Sequence, residues 1–156
     1  MLERTTAEEL AILLEENADE PRAAVLAGVL AGRAFPTTTA LAHAIRHVLQ
    51  RKVVDDEIDN SIRRVFQALR IAVNGEFSAL DSFLRNLPGC LNPSGRVAIL
   101  TFHSGEDRRV KKAFEAGLRD GLYADIAREI IRPTPAERHD NPRSSSAKLR
   151  WARKAG

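Results

Sequence analysis

One stretch restricts the folds open to this chain more than any other. From Gly95 to Lys112 it reads GRVAILTFHSGEDRRVKK. The opening RVAILTF is a continuous β-branched and apolar run of strand length, the pattern of a strand buried on both faces of a parallel sheet. It stops at His103-Ser104, where a charged segment with helical spacing starts at once. Ser104 with Asp107 three residues on reads as a helix cap, and Val110 and Phe114 would face inward. Downstream, REIIRPT and SAKLRWARK read as two further strands around the loop PAERHDNPRSSS. A strand buried on both faces needs neighbours and helices on both sides. Three strands and one helix do not supply them, so this sheet is expected to be completed by residues elsewhere or by another chain.

Upstream, the period is helical throughout. Thr5 and Thr6 each have a Glu three residues on, a capping-box pattern, and Leu10, Leu13 and Leu14 follow as a stripe to about Glu16. Pro21 suits the first turn of a second helix ending near Gly32. A third, FPTTTALAHAIRHVLQRK, starts with Thr38 as its cap and places Leu41, Ile45, Val48 and Leu49 on one face. The polar segment DDEIDN reads as a break before a longer helix carrying Ile62, Val65, Phe66, Leu69 and Val73, which Asn74-Gly75 ends. Phe77, Leu80, Phe83, Leu84 and Leu87 mark a fifth helix closed by Pro88-Gly89. The expected organisation is a helical domain over 1–90 and a mixed α/β domain over 91–156.

Composition excludes several classes. Hydrophobic residues are 44% and charged residues 29% of the 156, which suits a globular domain and argues against bulk disorder. The longest small-apolar run, AAVLAGVLAG, is half the roughly 20 residues a bilayer crossing needs, and the amino terminus lacks the order of a signal peptide. The single cysteine, Cys90, has no partner for a disulfide or a thiolate metal site. These features point to a protein of the reducing cytoplasm with no membrane partner. His43 and His47 lie one helical turn apart, but the local pattern has no third ligand, so no metal site is expected.

Charge is unevenly spread over a net of +3. Residues 1–20 carry seven acids against Arg4, whereas residues 132–156 carry seven bases against Glu137 and Asp140. An acidic head with a basic tail fits either a polyanion partner at the carboxyl end or a solvated face with a frayed terminus. Arg63, Arg64 and Arg70 flank an apolar helical stripe. Arg108, Arg109, Lys111 and Lys112 are denser, and Arg143, Lys148 and Arg150 lie in the tail. Each set can grip phosphates or be merely solvated or paired. Trp151 alternates with Leu149 in a strand pattern and reads as core, with a stacking platform as the other reading.

Four stretches together resemble one family, the 16S rRNA cytosine-N4 methyltransferases (RsmH/MraW). They are FPTTTALAHAI, RVFQALRIAVNGEFSAL, LNPSGRVAILTFHSGEDRRVKKAF and NPRSSSAKLRWA, in family order and reaching from about Thr5 to Arg153. Gly105 stands where the family usually has Leu, and Ser145 where it usually has Arg. The resemblance implies a Rossmann-like methyltransferase sheet interrupted by a helical domain that engages RNA, with S-adenosylmethionine as methyl donor. It further implies that this chain corresponds to the second half of the enzyme. The glycine-rich loop after a first strand, which would hold the cofactor, has no counterpart here. No cofactor is therefore expected on this chain alone.

Ligands of open α/β sheets sit at the carboxyl ends of the strands, where His103 and Ser104 fall. They are the candidate catalytic residues, His103 to orient a cytosine or take its amine proton, Ser104 chiefly as a helix cap. The alternative is that His103 only bonds a neighbouring loop. The expected partner is 16S rRNA or the small ribosomal subunit, with a missing amino-terminal half or second chain supplying the cofactor site, and the lone chain inactive. A non-catalytic RNA-binding relic or a partner subunit is the other reading. The unfinished sheet is also expected to favour self-association.

Overall fold

A computed structural model describes residues 1–50 and 53–156, and its first helix begins where the capping pattern is complete. The Thr6 hydroxyl accepts from the Glu9 backbone N–H at 3.2 Å, and the Glu9 carboxylate accepts from the Thr6 N–H at 2.9 Å. α1 (Ala7–Ala18) follows, then α2 (Ala23–Leu30), whose N-cap is Arg22. Pro21 therefore lies in the turn before α2 and not in its first turn. α3 (Thr38–Leu49) is capped by Thr37, one residue before the expected cap. The expected extension of this helix to Arg51-Lys52 falls outside the described residues.

DDEIDN is no break. It forms the opening turns of α4 (Asp55–Asn74), because Asp55, Asp56 and Glu57 sit at the positive end of the helix and Ile58 is fully buried. Gly75 ends α4 in the left-handed conformation, φ 62°. The stripes of these four helices form one core that includes Leu10, Leu14, Leu26, Ile45, Ile58 and Val65. Within it lies Glu20, 1% exposed, whose Oε1 accepts from the Ser61 hydroxyl and the Arg22 N–H, both at 3.0 Å. One of the acids of the amino-terminal run is thus a buried tie between α4 and the start of α2.

The chain divides into two compact units, Met1–Glu76 and Phe77–Gly156. The division falls after the first residue of α5 (Glu76–Cys90), because Leu84 and Leu87 pack with the sheet's cluster and not with the α1–α4 core. α5 also runs through Pro88-Gly89 to Cys90. Proline there removes only the bond to the Leu84 carbonyl in the last turn, where little helix remains to be disrupted.

The second unit is a three-stranded antiparallel sheet in the order β1-β3-β2, backed by helices. β1 (Arg96–Thr101) is the expected strand, followed by α6 (Ser104–Arg119). β2 is Tyr123–Ile126, and the expected strand at REIIRPT is reduced to one bridge, Ile131 with Leu149. α7 (Pro135–Asp140) and a 3-10 turn (Pro142–Ser146) occupy the expected loop before β3 (Lys148–Lys154). Val110, Phe114, Tyr123, Ile126 and Ala152 join Leu84 and Leu87 beneath one sheet face.

The other face is open, which corrects the reading of RVAILTF as buried on both faces. Arg96, Ala98 and Leu100 alternate outward along β1, and Leu100 is 53% exposed. β1 pairs only with β3, antiparallel, with Ala98 opposite Trp151 and Leu100 opposite Leu149. Its other edge has no strand partner among the described residues. The apolar run is real, but this chain covers half of it.

Candidate functional site

His103 is the last residue in extended backbone after β1 (φ −130°, ψ 165°), so the helix starts one residue earlier than the serine pattern suggests. His103, not Ser104, is the N-cap of α6, and its partner is Glu106, not Asp107. The His103 Nδ1 accepts from the Glu106 N–H at 3.4 Å, and its Nε2 lies 3.2 Å from Glu106 Oε1. The second Glu106 oxygen accepts from the N–H groups of Phe102 and His103 at 3.0 and 3.4 Å. A Glu three residues after a cap was the available signal; the hydroxyl next door, a better cap by type, masks it. Ser104 is the first helical residue and is exposed.

The imidazole is packed as well as bonded. The Phe77 ring lies 5.8 Å from it, centroid to centroid, tilted by 45°. Phe77 in turn carries the Arg109 guanidinium 4.1 Å from its centroid, and Arg109 donates to Asp81 at 2.7 Å. The residues that surround His103 therefore come from α5 and from the first turns of α6. Phe77 reads in sequence as a stripe residue, and Asp81 carries no signal for such a role.

The cations differ in burial. Arg150 is 5% exposed and donates twice to Asp107, at 2.7 and 3.1 Å. This buried pair removes Arg150 from the phosphate-binding candidates and explains why Asp107 is not a capping partner. Arg109 is held by Asp81 and Phe77, as above. Arg108, Lys111 and Lys112 are exposed on α6, with Lys111 3.7 Å from Glu115. Arg143 is exposed in the 3-10 turn, and Lys148 is half-buried at the start of β3.

In the helical unit Arg63 is exposed and Arg64 half-buried on α4, while Arg70 donates to both oxygens of Glu76 at 2.8 and 3.0 Å. His47 contacts Gln50 at 3.2 Å, and among the described residues no three His, Cys, Asp or Glu side chains are grouped to hold a metal. Trp151 is half-buried on the open sheet face, where it lines a hollow of about 450 Å³ with Arg96, Ala98, Asp125 and Arg153. No described helix is long and apolar enough to cross a membrane.

Among known proteins, the MraW methylase family matches residues 1–155. The chain belongs to that family. It is 46% identical over 162 aligned residues to the ribosomal RNA small subunit methyltransferase H 1 of Agathobacter rectalis, an alignment covering 99% of this chain and 46% of that protein. The ribosomal RNA small subunit methyltransferase H 2 of Alkaliphilus metalliredigens is 47% identical, with the same two coverages. The ribosomal RNA small subunit methyltransferase H of Myxococcus xanthus is 38% identical, covering 99% of this chain and 55% of that protein. This member of the MraW methylases thus spans about half the length of the curated relatives it matches.

Proposed function

We propose that this chain supplies the base-presenting and RNA-gripping part of a methyltransferase that modifies a cytosine N4 in 16S rRNA of the small ribosomal subunit, acting in the cytoplasm. The observation that carries the reading is His103, held at the carboxyl end of β1 by Glu106 and Phe77 in a member of the MraW methylases. The relatives' names place small-subunit ribosomal RNA as their substrate. Cytosine's exocyclic amine is a weak nucleophile because its lone pair is delocalised into the ring. An enzyme must take the base out of its stack and hold that amine in line. His103 suits orientation of the base, its ring being fixed on two sides, with Ser104 exposed next to it. Positioning of this kind supplies as much as ~7–11 kcal/mol in favourable systems.

Lys111, Lys112, Arg143 and Lys148, with Arg108, are the proposed phosphate contacts. Arg63, Arg64 and Arg70 form a lesser set on the helical unit. The family implies S-adenosylmethionine, and the β1–α6 turn does not suit it. The N–H groups there are taken by Glu106 and His103, and the space at Gly105 by Phe77. We assign the cofactor to residues outside this chain, which alone neither binds it nor turns over. The sheet's open edge and face are the proposed seat of that missing part, and of self-association in its absence.

The test mixes this chain with the amino-terminal portion of the Alkaliphilus metalliredigens relative and follows methyl transfer to 16S rRNA. The expected result is turnover that His103→Ala lowers by ~10-fold or more at unchanged RNA affinity. An inert mixture that still binds RNA would favour the non-catalytic reading, and full turnover by His103→Ala would remove His103 from the site.

A further inference from the structure

We propose that Phe77 is the positioning residue for His103, and that Gly105 is a glycine in order to admit it. The role in catalysis rests on the reading of His103 given above; the packing does not. A Cβ built on Gly105 would lie 2.6 Å from Phe77 Cζ and 3.3 Å from His103 Nδ1. Real Cβ atoms do not approach that closely, so the edge of the Phe77 ring occupies the space any side chain at 105 would need. Gly105 has no left-handed backbone to explain it, and glycine within a helix is otherwise a disadvantage relative to alanine. Its function is clearance.

Phe77 has little room to retreat from that gap. It is buried, and the Arg109 guanidinium stacked on its ring is tied to Asp81. The order Arg109, Phe77, His103 is thus a run of contacts whose last ring, tilted against Phe77, is the candidate catalytic group, with the Glu106 N–H donating to its Nδ1. The cap alone fixes where the His103 Nδ1 bonds. Phe77 adds an aromatic wall against the ring itself, which selects one imidazole orientation. A glycine and a phenylalanine far apart in sequence are, on this view, one device.

The test uses the full 156-residue chain with its histidine ring resonances assigned by NMR. Phe77→Leu is expected to shift the His103 ring signals and leave those of His43 and His47 in place, because the aromatic wall is lost. Gly105→Ala should shift the same signals and lower the melting temperature. Combined with Phe77→Leu, it should regain melting temperature, since the shorter side chain leaves room for the methyl group. In the mixed enzyme Phe77→Leu should lower kcat by ~10-fold with KM for RNA unchanged.

Unmoved His103 signals in a folded Phe77→Leu chain would overturn the proposal. So would a penalty for Gly105→Ala that Phe77→Leu leaves intact, or displaced signals with an unchanged kcat. Full turnover by His103→Ala would instead defeat the functional reading and with it the positioning role. That outcome is recognisable because the Phe77→Leu spectrum would still be displaced.

Discussion

The helical unit, Met1–Glu76, and the sheet unit, Phe77–Gly156, are of similar length and opposite character. The first carries twelve acids against nine Lys and Arg, a net of −3; the second carries nine acids against fifteen, a net of +6. The helical unit closes its stripes on one continuous core. The sheet unit covers one face and, among the described residues, leaves Leu100 exposed, Trp151 half-buried and the outer edge of β1 without a strand partner. Each also buries a carboxylate, with different company. Asp107 faces a guanidinium, whereas Glu20, among the described residues, is met by a hydroxyl and a backbone N–H. The family's expectation puts RNA on the helices, yet the cations and the unfinished surface lie in the other unit. A polyanion is drawn to where charge is in excess, so the basic tail, and not the helical insertion, is the proposed main grip.

The contrast can be broken most forcefully at the two buried carboxylates. Arg150→Ala leaves Asp107 buried without its cation and should destabilise the sheet unit by about 3–5 kcal/mol. Glu20→Ala strands the Ser61 hydroxyl in the helical core and should cost less, about 1–3 kcal/mol. Amide exchange read unit by unit would check both, and equal losses would contradict the difference in pairing. Gly117→Ala ranks next. A Cβ there would lie 2.5 Å from the Tyr123 ring, so the change should cost about 1–3 kcal/mol by overpacking, where an exposed helical site would gain. Thermal melting gives the sign.

The smallest effects are in pH, and they fall at opposite ends. Burial raises the Tyr123 hydroxyl above its ordinary value of 10.0. As pH rises past 10.0 the unfolded chain ionises first, and the sheet unit loses stability. Tyr123→Phe should flatten that alkaline loss in a pH-melting series. In the helical unit the Thr6 backbone N–H, then its hydroxyl, hold Glu9 below its ordinary 4.5. The contribution of that exposed cap is present at neutral pH and fades as pH falls through the lowered value. Glu9→Gln should remove the acid-side dependence and leave the alkaline one, whereas Thr6→Ala, which keeps the backbone N–H, should only weaken it.

What could be read in sequence was local. The Thr6–Glu9 box, the αL stop at Gly75, the run that becomes β1 and the inward Val110 and Phe114 all depend on neighbours within a few positions. What could not be read depends on distance. β2 is four residues, YADI, and its pairing is decided by β3, well downstream. Arg150 looks like any tail cation until Asp107, 43 positions earlier, is seen to hold it. The displaced cap at Ser104 has another cause. Residue type favours serine, but the backbone is already helical at Ser104, so the cap falls one residue earlier, on His103, the last extended residue. Of the candidate site, then, the junction was legible, and the Phe77–Gly105 fit that shapes it was not.

The proposed grip is tested most directly by the salt dependence of 16S rRNA binding in two variants of the full chain. One replaces Lys111, Lys112, Arg143 and Lys148 by Gln, the other Arg63, Arg64 and Arg70. Removing a cation that neutralises one phosphate of a single strand should reduce the slope of log K against log salt by ~0.7. The first set should therefore remove roughly 3 units of slope and the second less than about 1. The reverse ranking would return RNA recognition to the helices and contradict the account.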